Sequence, residues 1–295
     1  MSRPEKKIIL YDYPCKVPGG AWSPNTWKAR LALNMKGIPY RTHWIAFPLI
    51  REHCISIGAD PTLHIAGEPI YTLPVIHDPN TGATISESFE IVKYLHQTYP
   101  SPTPSNTDAH IDTIEFIPAG TTALQQAFTS AFTSTVISHL TTLIIADIGA
   151  PIPGAQDYEF WKRSREVRLG MSIDEFVPKT EERRRELWGK AVEGFRTVGG
   201  WLDANGDGDG GRWVMGQTLS WADVLVANWV LSLRRLWGED DERWKELMGL
   251  GGGRWKAYYE SVVKYEWVDK EGLKSLGGAI EDRERVGGKR LPTNR

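Results

Sequence analysis

Three short segments in the first third of the chain bring hydroxyl, carboxylate and proline residues together in ways that suit chemistry on a small anion. In Trp22-Ser23-Pro24-Asn25-Thr26-Trp27, Ser23 followed by Pro24 has the form of a helix N-cap and an N1 proline. The Ser23 hydroxyl then stands beside unpaired N–H groups and the positive end of a helix dipole, where an anion fits; the same pair also serves simply to start a helix. In Tyr71-Thr72-Leu73-Pro74-Val75, a proline interrupts a run that otherwise reads as a strand. Two resolutions stand, a strand entry at Pro74 or a cis peptide that leaves the backbone of Val75 free. In Ser86-Glu87-Ser88-Phe89-Glu90-Ile91, Ser88 and the amides of a helix start suit a carboxylate, and Glu87 suits an ammonium. That segment is able to take an amino-acid zwitterion, or it is an N-cap with an acidic first turn.

Other segments carry weaker chemistry. Cys15 and Cys54 are too few and too far apart for a disulfide scaffold, a zinc ribbon or a Cys-x-x-Cys pair, which points to a reducing compartment. Asp203-Ala204-Asn205-Gly206-Asp207-Gly208-Asp209 opens like a calcium loop, but its twelfth position is Val214 rather than a bidentate Glu, so no metal site is expected. Ser220-Trp221-Ala222-Asp223 has the Ser-x-x-acid form of a capping box and is a folding element.

The elements that must position these residues change character at Tyr99-Pro100-Ser101-Pro102-Thr103-Pro104-Ser105, a run too rich in fixed φ to continue a helix. Before it, strands are expected at Lys7–Tyr11, Tyr40–Phe47, Leu73–His77 and Ala83–Ile85, and helices at Pro24–Lys36, Leu49–Ile57 and Ser86–Thr98. The resulting order, β-α-β-α-β-β-α, is thioredoxin-like and fills a first domain over residues 1–100. After it, helical periodicity covers Asp108–Ile148, Asp157–Met171, Thr180–Leu202, Ser220–Trp237 and Arg254–Tyr265, giving an all-α second domain over 106–270. The Gly-rich residues 271–295 read as a loosely ordered tail. The fold class is therefore α+β.

The chain has 295 residues, 35 Lys+Arg against 37 Asp+Glu, and a formal charge of −2. Between Ser101 and Asp269 acidic residues outnumber basic ones, 25 to 18. Nothing in this balance recommends a nucleic-acid partner, and the only basic cluster is Arg183-Arg184-Arg185. The N-terminus lacks the apolar core of a secretory signal, and no stretch approaches 18 uninterrupted apolar residues. No membrane partner and a cytoplasmic location are expected.

Taken together and in this order, the three segments resemble the glutathione transferase superfamily. Ile9-Leu10-Tyr11-Asp12-Tyr13-Pro14, Ala21 to Lys28 and Tyr71 to Ile76 look like the fungal FuA class, which is related to etherase-type transferases and to transferase-like proteins of fungal natural-product pathways. Pro118-Ala119-Gly120-Thr121, Tyr158 to Gly170, Val214-Met215-Gly216, Ser220 to Asp223 and Gly253-Arg254-Trp255 continue the likeness to about Trp267. The resemblance implies glutathione as co-substrate, with Ser23 as the catalytic residue donating a hydrogen bond to its sulfur. It also implies a cis Pro74, backbone pairing of Val75 with the cysteinyl part (a binding segment of Leu73, Pro74 and Val75), and Glu87 and Ser88 on the γ-glutamyl end. It implies a homodimer as well.

The second substrate is expected between the domains, beside Ser23 and under the fourth helix, with Phe116, Phe128, Phe132 and Trp161 as aromatic walls for a hydrophobic aromatic small molecule. Each of these also reads as ordinary core. Arg165 and Arg168 are candidates to anchor a phenol or carboxylate, or are solvated helix charges. Cys15 lies eight residues before Ser23 and reads as a bystander thiol. Conjugation, glutathione-dependent ether cleavage and a pathway-specific isomerisation all need the same thiolate. A low-turnover ligand carrier is the rival from another class.

Overall fold

The computed structural model describes residues 4–100, 113–206 and 211–286. In the first domain, β1 (Ile8–Asp12), an apolar run, is the buried centre of a four-stranded sheet. It pairs in parallel with β2 (Tyr40–Trp44) and antiparallel with β5 (Val75–Asp78), which pairs in turn with β6 (Ala83–Ser86). The parallel β1–β2 step requires a crossover, supplied by α1 (Pro24–Met35). A 3-10 turn (Phe47–Leu49) leads into α2 (Ile50–Ser56), and α3 (Ser88–Thr98) closes the domain. This is the thioredoxin-like arrangement with a mixed four-strand sheet.

Differences from the sequence reading have local causes. β5 begins at Val75 rather than Leu73, because Pro74 donates no ladder bond and the Leu73–Pro74 peptide is cis. A hairpin, β3 (Leu63–Ile65) and β4 (Glu68–Ile70), was not anticipated. It turns on Ala66 and Gly67, both at positive φ, and Ala-Gly lacks the Asn-Gly or Asp-Gly signature of such turns.

The second domain is helical. Of the helix expected from Asp108, residues 108–112 lie outside the described residues, and β7 (Thr113–Ile114) pairs in parallel with β8 (Thr218–Leu219). The helix starts only at Thr122, beyond Pro118 and the positive-φ Gly120. It runs as α4 (Thr122–Phe132), a π-helical segment (Thr133–Ile137) and α5 (Ser138–Gly149). By length and a mean hydropathy of 1.4 this run is apolar enough to cross a membrane. Within the chain it packs against α8 (Glu181–Asp203), whose Gly194 lies so close to Thr135 that a Cβ would stand 2.2 Å from the Thr135 carbonyl oxygen.

Next come α6 (Ala155–Leu169) and α7 (Ile173–Phe176) before α8, then α9 (Trp221–Trp237) and α10 (Glu242–Val262). α10 starts twelve residues before the expected Arg254 and breaks at Leu250–Gly253, where three successive glycines hold positive φ. α9 is buried continuously from Trp221 to Leu233 and packs on α1, joining the two domains. Its capping box is present, with Asp223 Oδ2 accepting from the Ser220 N–H and hydroxyl. Part of the calcium-like loop, 207–210, lies outside the described residues; among the rest, Asn205 donates to the carbonyls of Trp213 and Val214.

The expected loose tail is corrected over most of its length. Residues 270–286 form α11 (Lys270–Val286), which packs against β2; 287–295 lie outside the described residues. The anchor is polar. Arg30, fully buried, donates to Asp12 (2.8 Å), Thr42 (2.9 Å) and Tyr40 (3.3 Å). Asp269 accepts from the Thr42 N–H and hydroxyl and from the Gly272 N–H, and Trp44 donates to the Gly272 carbonyl. Sequence periodicity misses this because the docking is written in capping and salt-bridge geometry rather than in an apolar stripe.

Candidate active site

Ser23 is the N-cap of α1, with Pro24 at N1 as expected. Its Oγ accepts from the Asn25 N–H at 3.2 Å, and the residue is buried. The phenol of Tyr13 lies against it; burial pushes that phenol far above its ordinary pKa, with Cys15 adding to the rise and Ser23 opposing it. Ser23 opens onto a cavity of about 470 Å³ that spans both domains. One wall comes from the first domain, including Tyr13, Ser23, Asn25, Lys28, Phe47, Arg51, Tyr71, Leu73, Pro74, Glu87 and Ser88. The facing wall is α6, through Phe160, Ser164, Arg165 and Arg168.

α3 starts at Ser88, two residues after the expected Ser86, and its N-cap is Glu87, which has φ +72. A non-glycine residue held there is costly, and such residues cluster at binding sites. Its carboxylate accepts from Phe89 N–H (2.9 Å) and from the Ser88 hydroxyl (3.0 Å). Lys28 also lines the cavity; burial weakens its charge while Glu87 supports it.

Several expected positions are corrected. Val75 does not line the cavity: it sits inside the sheet, in register with Tyr11 on one side and Ser86 on the other. The open backbone belongs to Leu73, which lines the cavity and whose N–H and C=O have no partner among the described residues. None of the four expected aromatic walls lines it either. Phe116 and Phe132 are fully buried in the main core, Phe128 stacks on Phe132 and meets Trp201 edge-on, and Trp161 is buried under Gly149 and Tyr158. The fourth helix packs on α9 and contributes nothing to the cavity. The aromatic side chains there are Tyr13, Phe47, Tyr71 and Phe160.

Phe160 was missed although its neighbour Trp161 was named. One residue along a helix rotates the side chain by about 100°, and Phe160, Ser164 and Arg168, four apart, share the cavity face. Arg165 and Arg168 both line the cavity. Cys15 is fully buried and outside the cavity lining; burial, then Asp12 and Asp157, push its thiol well up, which leaves it unreactive. No cluster of metal-ligating side chains occurs among the described residues.

Residues 22–98 match the family model for the glutathione S-transferase N-terminal domain, and residues 123–265 match that for the glutathione S-transferase C-terminal domain. A glutathione S-transferase-like protein, ustS, of Aspergillus flavus is 25% identical over 276 residues, covering 91% of this chain and 93% of that protein. The glutathione S-transferase CsGST63524 of Ceriporiopsis subvermispora, solved in complex with glutathione, is 37% identical with a TM-score of 0.79, over 90% of this chain and 100% of that one. Glutathione transferase GSTFuA3 of Phanerochaete chrysosporium is 34% identical with a TM-score of 0.78, over 90% of this chain and 99% of that one. The cavity walled by Ser23, Pro74 and Glu87 thus lies between two domains that both match, and the chain belongs to the glutathione S-transferase superfamily.

Proposed function

We propose that the chain is a glutathione-dependent transferase in which Ser23 stabilises the glutathione thiolate for attack on an aromatic small molecule. The observation that carries this reading is that Ser23, at the start of α1, opens onto the same cavity as Pro74, Glu87 and Ser88. An oxygen that already accepts from an amide keeps its proton to donate, so the Ser23 O–H is suited to a sulfur anion at the positive end of the helix. Leu73 offers an unpaired N–H and C=O for the cysteinyl backbone, the task first assigned to Val75. Glu87 and Ser88 suit the γ-glutamyl ammonium and carboxylate, and Lys28 and Arg51 add positive charge on the same wall.

In the reaction, the thiol proton leaves to solvent and the thiolate sulfur bonds to an electrophilic carbon of the substrate. The leaving group, a halide in conjugation or a phenolate in ether cleavage, departs with the bonding electrons. The substrate's ring lies against Phe160, Phe47 and Tyr71.

The test is the ultraviolet absorbance of bound glutathione thiolate against pH. The wild type is expected to titrate well below the free-thiol pKa, and Ser23→Ala to lose the band and about 10- to 1,000-fold in kcat. Glutathione that fails to bind, or that forms no thiolate near neutral pH in the wild type, leaves a ligand carrier as the better account.

We further propose that two copies pair. Only 33% of the most apolar stretch of Thr122–Gly149 is buried within one chain, which leaves apolar surface for a partner to cover.

A further inference from the structure

The cavity is electrically lopsided. Four cationic side chains, Lys28, Arg51, Arg165 and Arg168, line it against two carboxylates, Glu68 and Glu87. Lys28 and Arg51 sit on the first-domain wall, where glutathione's own carboxylates and Glu87 are at hand under the reading above. Arg165 and Arg168 stand on α6, three residues apart on adjacent turns, beside Phe160. The Arg165 guanidinium lies 5.8 Å over the buried Trp161 ring and donates to the Ser164 hydroxyl at 3.4 Å. Burial works against both charges, with the Tyr13 phenol partly offsetting it at Arg165 and Arg165 adding to it at Arg168; among the described residues no carboxylate offsets either one.

Two neighbouring guanidinium groups without an anion are mutually repulsive, and one carboxylate relieves both at once. The planar fork of Arg matches a carboxylate in bidentate geometry, and a ring attached to that carboxylate meets Phe160, four residues before Ser164. We propose that Arg165, supported by Arg168, holds the anionic group of the second substrate, which is an aromatic carboxylate. This deepens the transferase reading and rests on it for the neighbouring occupant of the cavity, but the selection of an anion is measurable by itself.

The experiment titrates 3-nitrobenzoate and 3-nitrobenzamide into the whole protein, with and without glutathione, by calorimetry. The wild type is expected to bind the acid about tenfold tighter than the amide, as one charge-assisted pair allows. Arg165→Gln should abolish that preference with glutathione affinity unchanged, Arg165→Lys should restore part of it, and Arg168→Gln, at the more exposed position, should remove part. The same preference should appear in kcat/KM for 4-chloro-3-nitrobenzoate over 4-chloro-3-nitrobenzamide, each divided by its uncatalysed rate with glutathione.

Equal or absent binding of acid and amide by the wild type overturns the proposal. So does a preference that survives Arg165→Gln, or a loss of glutathione affinity in that variant, which would give the guanidinium to glutathione. A preference in binding that is missing from kcat/KM overturns it too, because the anion then lies off the reacting path. Should glutathione fail to bind while the preference for the acid holds and depends on Arg165, the transferase reading fails and the anion site stands.

Discussion

At the scale of single residues, Glu87 has two tasks that pull in one direction. It caps α3 by accepting from Phe89 N–H, and it lines the cavity, all at φ +72. Glu87→Ala removes the cap and keeps the unfavourable backbone, whereas Glu87→Gly removes the cap but makes that backbone easy. The expected outcome in urea unfolding is that the Gly variant is more stable than the Ala variant by about 1 kcal/mol, although both lose the cap. Equal midpoints would mean that the positive φ is not held in solution. That ordering separates the two terms, since the backbone cost at φ +72 is relieved by glycine while the loss of the cap is common to both variants. Ser23 was legible as a cap because Ser-Pro at a helix start has a one-dimensional pattern, whereas a glutamate capping α3 at positive φ has none. Which of Leu73 and Val75 carries the open backbone was not legible either: the side of a cis proline that is left free depends on where the strand begins, and that is set by partners in β1 and β6.

Secondary elements tell a similar story with a different physical cause. The four strands of the main sheet, and helices with an apolar period, were readable, as α1, α3 and α9 show, whereas the β3–β4 hairpin and the aromatic walls were not. Periodicity finds the buried face of a helix, and a cavity is lined by the neighbouring face, which is why Trp161 was chosen and Phe160 was missed. The same blindness hid α11, whose attachment runs through Asp269, Thr42 and Gly272. A Cβ on Gly272 would stand 2.7 Å from the Asp269 carboxylate and 2.8 Å from the Thr42 side chain. Gly272→Ala should therefore destabilise the protein by about 1–3 kcal/mol. Gly278→Ala, on the same helix with open space around it, should be neutral or slightly stabilising, since Ala favours helix. Equal effects of the two would show that α11 does not dock on β2 in solution.

At the scale of the molecule, two domains share one site and brace each other around it. α9 packs on α1, so the helix that presents Ser23 is braced by the second domain, while α6 reaches across to complete the cavity. The apolar run from Thr122 to Gly149 is the surface through which a second copy is expected to attach. Sedimentation equilibrium should give a mass near twice the 33.2 kDa of the chain. Charged substitutions at Leu124, an exposed apolar residue on that run, should shift the population toward monomer without altering the circular dichroism of the fold. A monomeric wild type at micromolar concentration would remove that surface from consideration.

α11 also reaches the loop before Ser23 by a route unrelated to binding. Gly20, three residues before Ser23 and at φ +72, carries no side chain, and Leu276 of α11 fills the space where its Cβ would be. The loop that leads into Ser23 is therefore clamped by α11. Changes that remove or distort residues around 276 are expected to disturb the cavity at Ser23. For anyone preparing this protein, α11 is a support of the loop before Ser23, and its loss is expected to show first at the cavity.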